Sequence, residues 1–330
     1  MNTFWKTLFI GTVSIELGVI GFYGYAIYRK KQIEKNVLGV TSINPIKKEN
    51  LIFTPDTIVK YFYEPKPNSI VDEQAPWTND VAHYTINSDS LNEQNDYFIH
   101  KASDSARIVV IGDSFAFGGH VDTKDNWIER LEDKLNKFMR CPGITKYEVI
   151  NLGYDGYDIE YSVHRYNIRG KKYDPDIIIW YLVKNDFTDI NEILFPIMKK
   201  IEKTLTKEDF ERVRRKSPFI PVSYVLGREE YEKMYSKEFI FDYIHKVFQR
   251  FNVMKSQLIL VIDESVNEEQ KDLLKRWIQE GNEHIKLTQM VPLEYFPDYH
   301  PNLESQKVIA ENLFSYLKKN NFTSCDIFPQ

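Results

Sequence analysis

Cysteine is nearly absent: Cys141 and Cys325 are the only two in 330 residues, far apart and outside any CxxC pair. That spacing excludes a zinc knuckle and a disulfide framework, and it favours two free thiols over a single bridge. A charge excess is lacking too. Lys and Arg number 43 against 48 Asp and Glu, a formal net charge of −5, and the basic residues are scattered rather than gathered. Nothing in that distribution attracts a nucleic-acid backbone. There is no internal repeat or low-complexity tract, and "GDSFAFGG" is neither a P-loop nor a GxGxxG turn. What is present is 42% hydrophobic and 14% aromatic residues, enough for one large α/β domain with extensions.

One long apolar run stands out. "TLFIGTVSIELGVIGFYGYAIY", residues 7–28, carries a single charge, Glu16, in 22 residues. At about 1.5 Å per residue it just crosses about 30 Å of hydrocarbon. The stretch is apolar all round, stops at Arg29-Lys30-Lys31 and leads into a polar linker, which favours an uncleaved transmembrane anchor over a buried core helix. Lys6 and the small-x-small site Gly24-Tyr25-Ala26 suit a cleaved signal peptide, but the apolar run is too long for one. The basic cluster on its C-terminal side points the rest of the chain toward the cytoplasm.

The expected organisation follows from texture. Residues 1–6 are a short tail, 7–28 the anchor and 29–50 a linker. Residues 51–105, with Pro55, Pro65, Pro67 and Pro76 among runs such as "VKYFYEP" and "HYTIN", form a β-rich or extended segment wrapping the main domain. From 106 to 320 strands and helices alternate: "RIVVIGDS", "YEVINLG", "PDIIIWYLVKND" and "SQLILVID" are strands too apolar for an exposed face, and "HIKLTQM" is a candidate fifth. Trp127, Leu131, Leu135 and Phe138 lie at helical spacing, and a closing helix spans about 303–319. The charged helical text over about 188–251 is an insertion, and 321–330 a C-terminal tail. Alternating β and α with buried strands implies a doubly wound three-layer α/β/α sandwich with a parallel sheet.

In such sheets ligands bind beyond the carboxyl ends of the strands. Ser114 follows the first strand, Gly153 the second and Asn185 the third. Acyl transfer needs a nucleophile, a base, an orienting carboxylate and donors for the oxyanion. Ser114 is a hydroxyl at the start of a helix, or simply a cap; Gly153 offers an unobstructed N–H, or simply a turn. The Asn185 amide can donate to the same oxygen, although an Asn ending a strand is commonly a loop former. His300 in "FPDYHPN" has Asp298 two residues earlier, a carboxylate near enough to fix its tautomer. His83, His100, His120, His164, His245 and His284 read as surface or core residues, with His120 set apart by its closeness to Ser114.

Gly112-Asp113-Ser114, "NLGYDG", "KND" and "DYHPN", in that order, resemble the four sequence blocks of the SGNH/GDSL hydrolase superfamily, over about 107–319. The resemblance implies a flavodoxin-like sandwich, Ser114 as nucleophile, His300 as base and Asp298 as its orienter. It further implies an oxyanion hole of Ser114, Gly153 and Asn185, and no metal or organic cofactor. Two departures stand out: the last block is D-x-H rather than D-x-x-H, as in membrane-anchored bacterial members, and Val183 replaces the usual Gly two positions before Asn185. The expected activity is hydrolysis of O-acyl esters on small molecules, cell-surface glycans or lipids. An O-acyltransferase using the same triad and an inactive binding or assembly protein are the alternatives. The family's habit points to an extracytoplasmic domain on a single-pass anchor, against the charge asymmetry.

Overall fold

The computed structural model describes residues 50–320 except 55, 254 and 281–284. The expected anchor at 7–28, most of the linker, His284, Cys325 and the tail at 321–330 lie outside the described residues. Among the described residues no helix is long and apolar enough to cross a membrane.

The segment before the main sheet is made of two antiparallel pairs: β1 (Leu51–Phe53) with β2 (Tyr63–Pro65), and β3 (Ser69–Gln74) with β4 (Val81–Ile86). In β4 burial alternates, with Ala82, Tyr84 and Ile86 inward, as period-2 side chains of a one-sided hairpin require. Glu64 of β2 is buried against Arg165 and Arg169, its Oε1 accepting from Arg165 Nη1 at 3.2 Å and from Arg169 Nε at 3.0 Å. An ion pair thus holds this segment to the main domain.

The main domain alternates strands and helices in the order β5 (Ser105–Ile111), α1 (Ser114–Phe117), α2 (Trp127–Phe138), β6 (Lys146–Asn151), α3 (Ile159–Arg165) and β7 (Ile177–Leu182). Four helices follow over the stretch expected to be helical: α4 (Asn191–Glu202), α5 (Lys207–Lys216), α6 (Val222–Met234) and α7 (Lys237–Arg250). The chain then returns through β8 (Gln257–Ile262), α8 (Glu268–Gln279), β9 (Lys286–Gln289) and α9 (Leu303–Lys319).

The five strands β6-β5-β7-β8-β9 lie in that order, all parallel. Counted along the chain this is 2-1-3-4-5, the flavodoxin-like order, whose switch point lies between β5 and β7. Strands β5 and β7 are buried along their whole length, which is why they read as unbroken apolar runs. Val109, Ile111, Ile178 and Trp180 face a core shared with Tyr161, Phe248 and Trp277. Ile108, Val110, Ile177 and Ile179 face the opposite core with Trp127, Leu131, Leu135, Ile309 and Leu313. Helices therefore cover both faces. Helix α7 covers the sheet itself, since Phe248 lies edge to face against Trp180 of β7 with ring centroids 5.6 Å apart.

Trp127, Leu131, Leu135 and Phe138 all fall in α2, as their spacing implies, with Phe138, the last residue, 56% exposed. One expectation is corrected. Cys141 is disulfide-bonded rather than a free thiol.

Candidate active site

Strand β5 passes so close to β7 that a Cβ at Gly112 would stand 2.7 Å from the Tyr181 carbonyl oxygen. Gly112 also has φ +151°, so glycine is required where the strand turns out of the sheet. Asp113 then caps α1, its Oδ1 accepting from the Phe115 N–H at 2.9 Å. That cap delivers Ser114, 6% exposed, to the carboxyl rim of the sheet.

Asn185 lies in the single 3₁₀ turn Lys184–Phe187 after β7, and its Nδ2 donates to Asp113 Oδ2 at 3.4 Å. The bulk of Val183 is no obstacle there. Its side chain is 2% exposed and packs into the core with Tyr181 and Val261 instead of into the site.

Asp298 and His300 sit in the loop between β9 and α9. The Phe296 N–H donates to the His300 carbonyl at 2.7 Å, and Tyr299 between the two residues has φ +73°. That left-handed residue folds the short D-x-H spacing so that both side chains face one way. His300 Nδ1 lies 2.7 Å from Asp298 Oδ2, and His300 Nε2 lies 2.7 Å from Ser114 Oγ. Hydroxyl, imidazole and carboxylate form one continuous chain of hydrogen bonds.

Gly153, the expected third oxyanion donor, lies in the loop after β6. Its N–H donates to the Asn151 side-chain oxygen at 2.9 Å. A Cβ there would stand 2.5 Å from Ala116 Cβ and 2.6 Å from the Phe117 nitrogen. Glycine is needed because the loop after β6 presses against the first turn of α1.

His120 belongs to the site although sequence reasoning left it among surface or core residues. Its Nε2 lies 2.7 Å from Asp298 Oδ2 and its Nδ1 3.2 Å from Glu73 Oε1. Donor atoms of His120, Asp298 and His300 come within 4.8 Å of one another, a grouping that could also ligate a metal ion. In this arrangement those atoms are engaged in hydrogen bonds with one another.

The electrostatics follow from burial and from this cluster. Burial works against charge on His120, but hydrogen bonds to Asp298 and Glu73 outweigh it and raise the imidazole to about 10. Burial would raise Asp298, yet its bonds to the two imidazoles hold the carboxyl well below its ordinary value. His300 is raised: burial opposes its charge, while the Asp298 hydrogen bond favours it. Burial pushes Asp113 up to about 6 and Asp155, in the loop after β6, up to about 7.

Residues 108–216, which include Ser114, Gly153 and Asn185, match the GDSL-like lipase/acylhydrolase family. The match covers about a third of the chain, so what it shows is a likeness of that stretch to the family. The Asp298–His300 loop lies outside the matched stretch. No curated protein matches the chain.

Solved structures resemble it at low identity. One is a two-domain esterase (CEX) active on acetylated mannans: 15% identity, TM-score 0.40, 69% of this chain and 52% of that one. The chain thus spans about half the length of that esterase. Others are the esterase EstA from Pseudoalteromonas (12% identity, TM-score 0.41, 65% of this chain and 98% of that one) and the acetyl xylan esterase AlAXEase (14%, 0.37, 64% and 99%). Likenesses this distant carry no argument about substrate.

The one sequence signal for His120 was its closeness to Ser114. Glu73 had one: it occupies the inward phase of β3, beside Val71, where an apolar residue is expected. A carboxylate in that register must meet a partner.

Proposed function

We propose that the chain hydrolyses O-acyl esters through Ser114, His300 and Asp298. The observation that carries the reading is the continuous 2.7 Å contacts from Ser114 Oγ to His300 Nε2 and from His300 Nδ1 to Asp298 Oδ2. Ser114 Oγ attacks the ester carbonyl as His300 Nε2 takes its proton, and Asp298 holds the Nδ1–H and stabilises the imidazolium. The oxyanion is met by the Ser114 N–H, unpaired at the start of α1, and by the Asn185 amide. Gly153 joins them only if its N–H leaves Asn151.

His300 then gives its proton to the departing alcohol, breaking the C–O bond and leaving an acyl-serine. Water attacks that ester with His300 again as base, releasing the carboxylic acid and restoring the Ser114 hydroxyl. The step needs no group beyond the chain's own residues and water.

The substrate proposed is an acyl group on a cell-surface glycan or lipid, with the domain on the extracytoplasmic side of a membrane anchor at 7–28. The disulfide at Cys141 supports an oxidising compartment. Half-buried Trp77, Phe219 and Phe296, which cluster beside His120, supply an apolar wall at that end of the site. A fluorophosphonate probe tests the nucleophile. Labelling of the parent and its loss in Ser114→Ala are expected, and an unlabelled parent would overturn the reading.

A further inference from the structure

Asp298 Oδ2 is shared by two imidazoles. His300 Nδ1 and His120 Nε2 each lie 2.7 Å from that one oxygen, and the rings stand edge to face with centroids 4.8 Å apart. On the far side, His120 Nδ1 is 3.2 Å from Glu73 Oε1. The Tyr84 hydroxyl donates to Glu73 Oε2, and the His120 main-chain N–H donates back to Tyr84 Oη at 2.7 Å. A closed circuit of contacts therefore runs from β3 and β4 through the loop after α1 to the loop that bears the base.

The backbone adds a second observation. His120 has φ +65°, a left-handed conformation that a side chain with a Cβ seldom adopts. Its ring is nonetheless held between Trp77 and Phe296, with centroids 5.0 and 6.0 Å away, and its side chain is only 8% exposed. A strained backbone presenting a buried imidazole to a functional carboxylate is held in place by its surroundings.

We propose that His120 is a positioning residue that clamps the Asp298 carboxylate in register with His300 and, through Glu73, makes the β3–β4 hairpin part of the active site. This rests on the Ser114–His300–Asp298 reading above. The D-x-H loop is short, and the main chain gives Asp298 only the His300 N–H, at 3.3 Å to Oδ1. The second imidazole supplies the remaining fixed donor. It is also a cation beside the base, so it opposes protonation of His300, while Glu73 favours that protonation. The charged and titratable groups facing His120 are Glu73 from β3, Tyr84 from β4, Asp298 and His300 from the loop before α9, and Asp155 from the loop after β6.

These signs make the test. Removing the cation without removing the donor, by His120→Gln, raises the pKa of His300. Removing the counter-ion, by Glu73→Gln, lowers it. We expect kcat/KM on p-nitrophenyl acetate, and the rate of fluorophosphonate labelling, to show acid limbs displaced upward in His120→Gln and downward in Glu73→Gln. His120→Ala, which loses the donor as well, lowers kcat by up to about a hundredfold with KM within about twofold of the parent, and His120→Gln restores part of that loss.

Limbs that stay at the parent position, or that move the same way in both Gln variants, overturn the proposal, because damage to packing alone has no sign. If His120→Gln does not fold, Glu73→Gln decides by itself: a lowered limb supports the clamp and an unmoved one ends it. A parent that takes no label defeats the Ser114 reading and this proposal with it. A labelled parent with unmoved limbs defeats the proposal alone.

Discussion

Asn185 Nδ2 donates to Asp113 Oδ2 at 3.4 Å, so the residue that caps the nucleophile's helix also holds the amide brought by the next strand but one. The strands between which this contact forms, β5 and β7, are paired neighbours in the sheet. A single carboxylate thereby couples the two loops at the switch point.

Asn185→Ala removes that amide from a half-buried turn and leaves the sheet untouched. Loss of one oxyanion donor costs about 2.7–4 kcal/mol of barrier, so kcat should fall about a hundredfold to a thousandfold with little change in the unfolding midpoint. Steady-state kinetics and thermal melting, read together, check both halves.

Gly153→Ala separates packing from hydrogen bonding. Alanine keeps the main-chain N–H, so a glycine acting only as a donor would tolerate the change. The new Cβ would meet Ala116 Cβ at 2.5 Å and the Phe117 nitrogen at 2.6 Å, and the backbone of α1 would have to move. We expect a loss of about 1–3 kcal/mol in urea unfolding, typical of overpacking, together with slower turnover as Ser114 shifts.

The ion pair under the N-terminal segment predicts a stability effect remote from the chemistry. Arg165 and Glu64 are both fully buried. Arg165→Met fills the space but leaves Glu64 with Arg169 alone, and breaking a buried pair costs about 3 kcal/mol or more. Denaturant unfolding at neutral pH measures it, and the fluorophosphonate reaction of the folded fraction should be unaltered.

Titration of His120 gives stability a pH dependence. Its pKa is raised from 6.5 to about 10 on folding, so its contribution is fully present below 6.5 and is lost as pH rises through about 10. Asp298 is depressed, so its contribution is present above 3.8 and is lost as pH falls. Between pH 6.5 and 10 the parent should therefore lose more stability than His120→Gln, which chemical denaturation across that range would reveal.

The candidates themselves were legible in the sequence. Ser114 and Asn185 stand out because buried parallel strands read as apolar runs and the residues just past such runs lie on one rim, and His300 because Asp298 lies two residues before it. The succession of strands along the chain and the closing helix, Leu303–Lys319, follow from the same local periodicity, whereas their order in the sheet does not. The packing of Gly153 against Ala116 was not legible, because it depends on how the loop after β6 sits on α1.

The chain order of its amino acids determined which residues are apolar, where each strand ends and which polar groups stand there, since those properties are encoded within a few neighbouring positions. Only the packed fold decided that His120 would meet Asp298, 178 positions away, and that Glu73 would face His120 from its other side. That meeting depends on the β3–β4 hairpin burying its inward face against the main domain. Such an arrangement is set by the shapes of two surfaces, and no short stretch of sequence carries it.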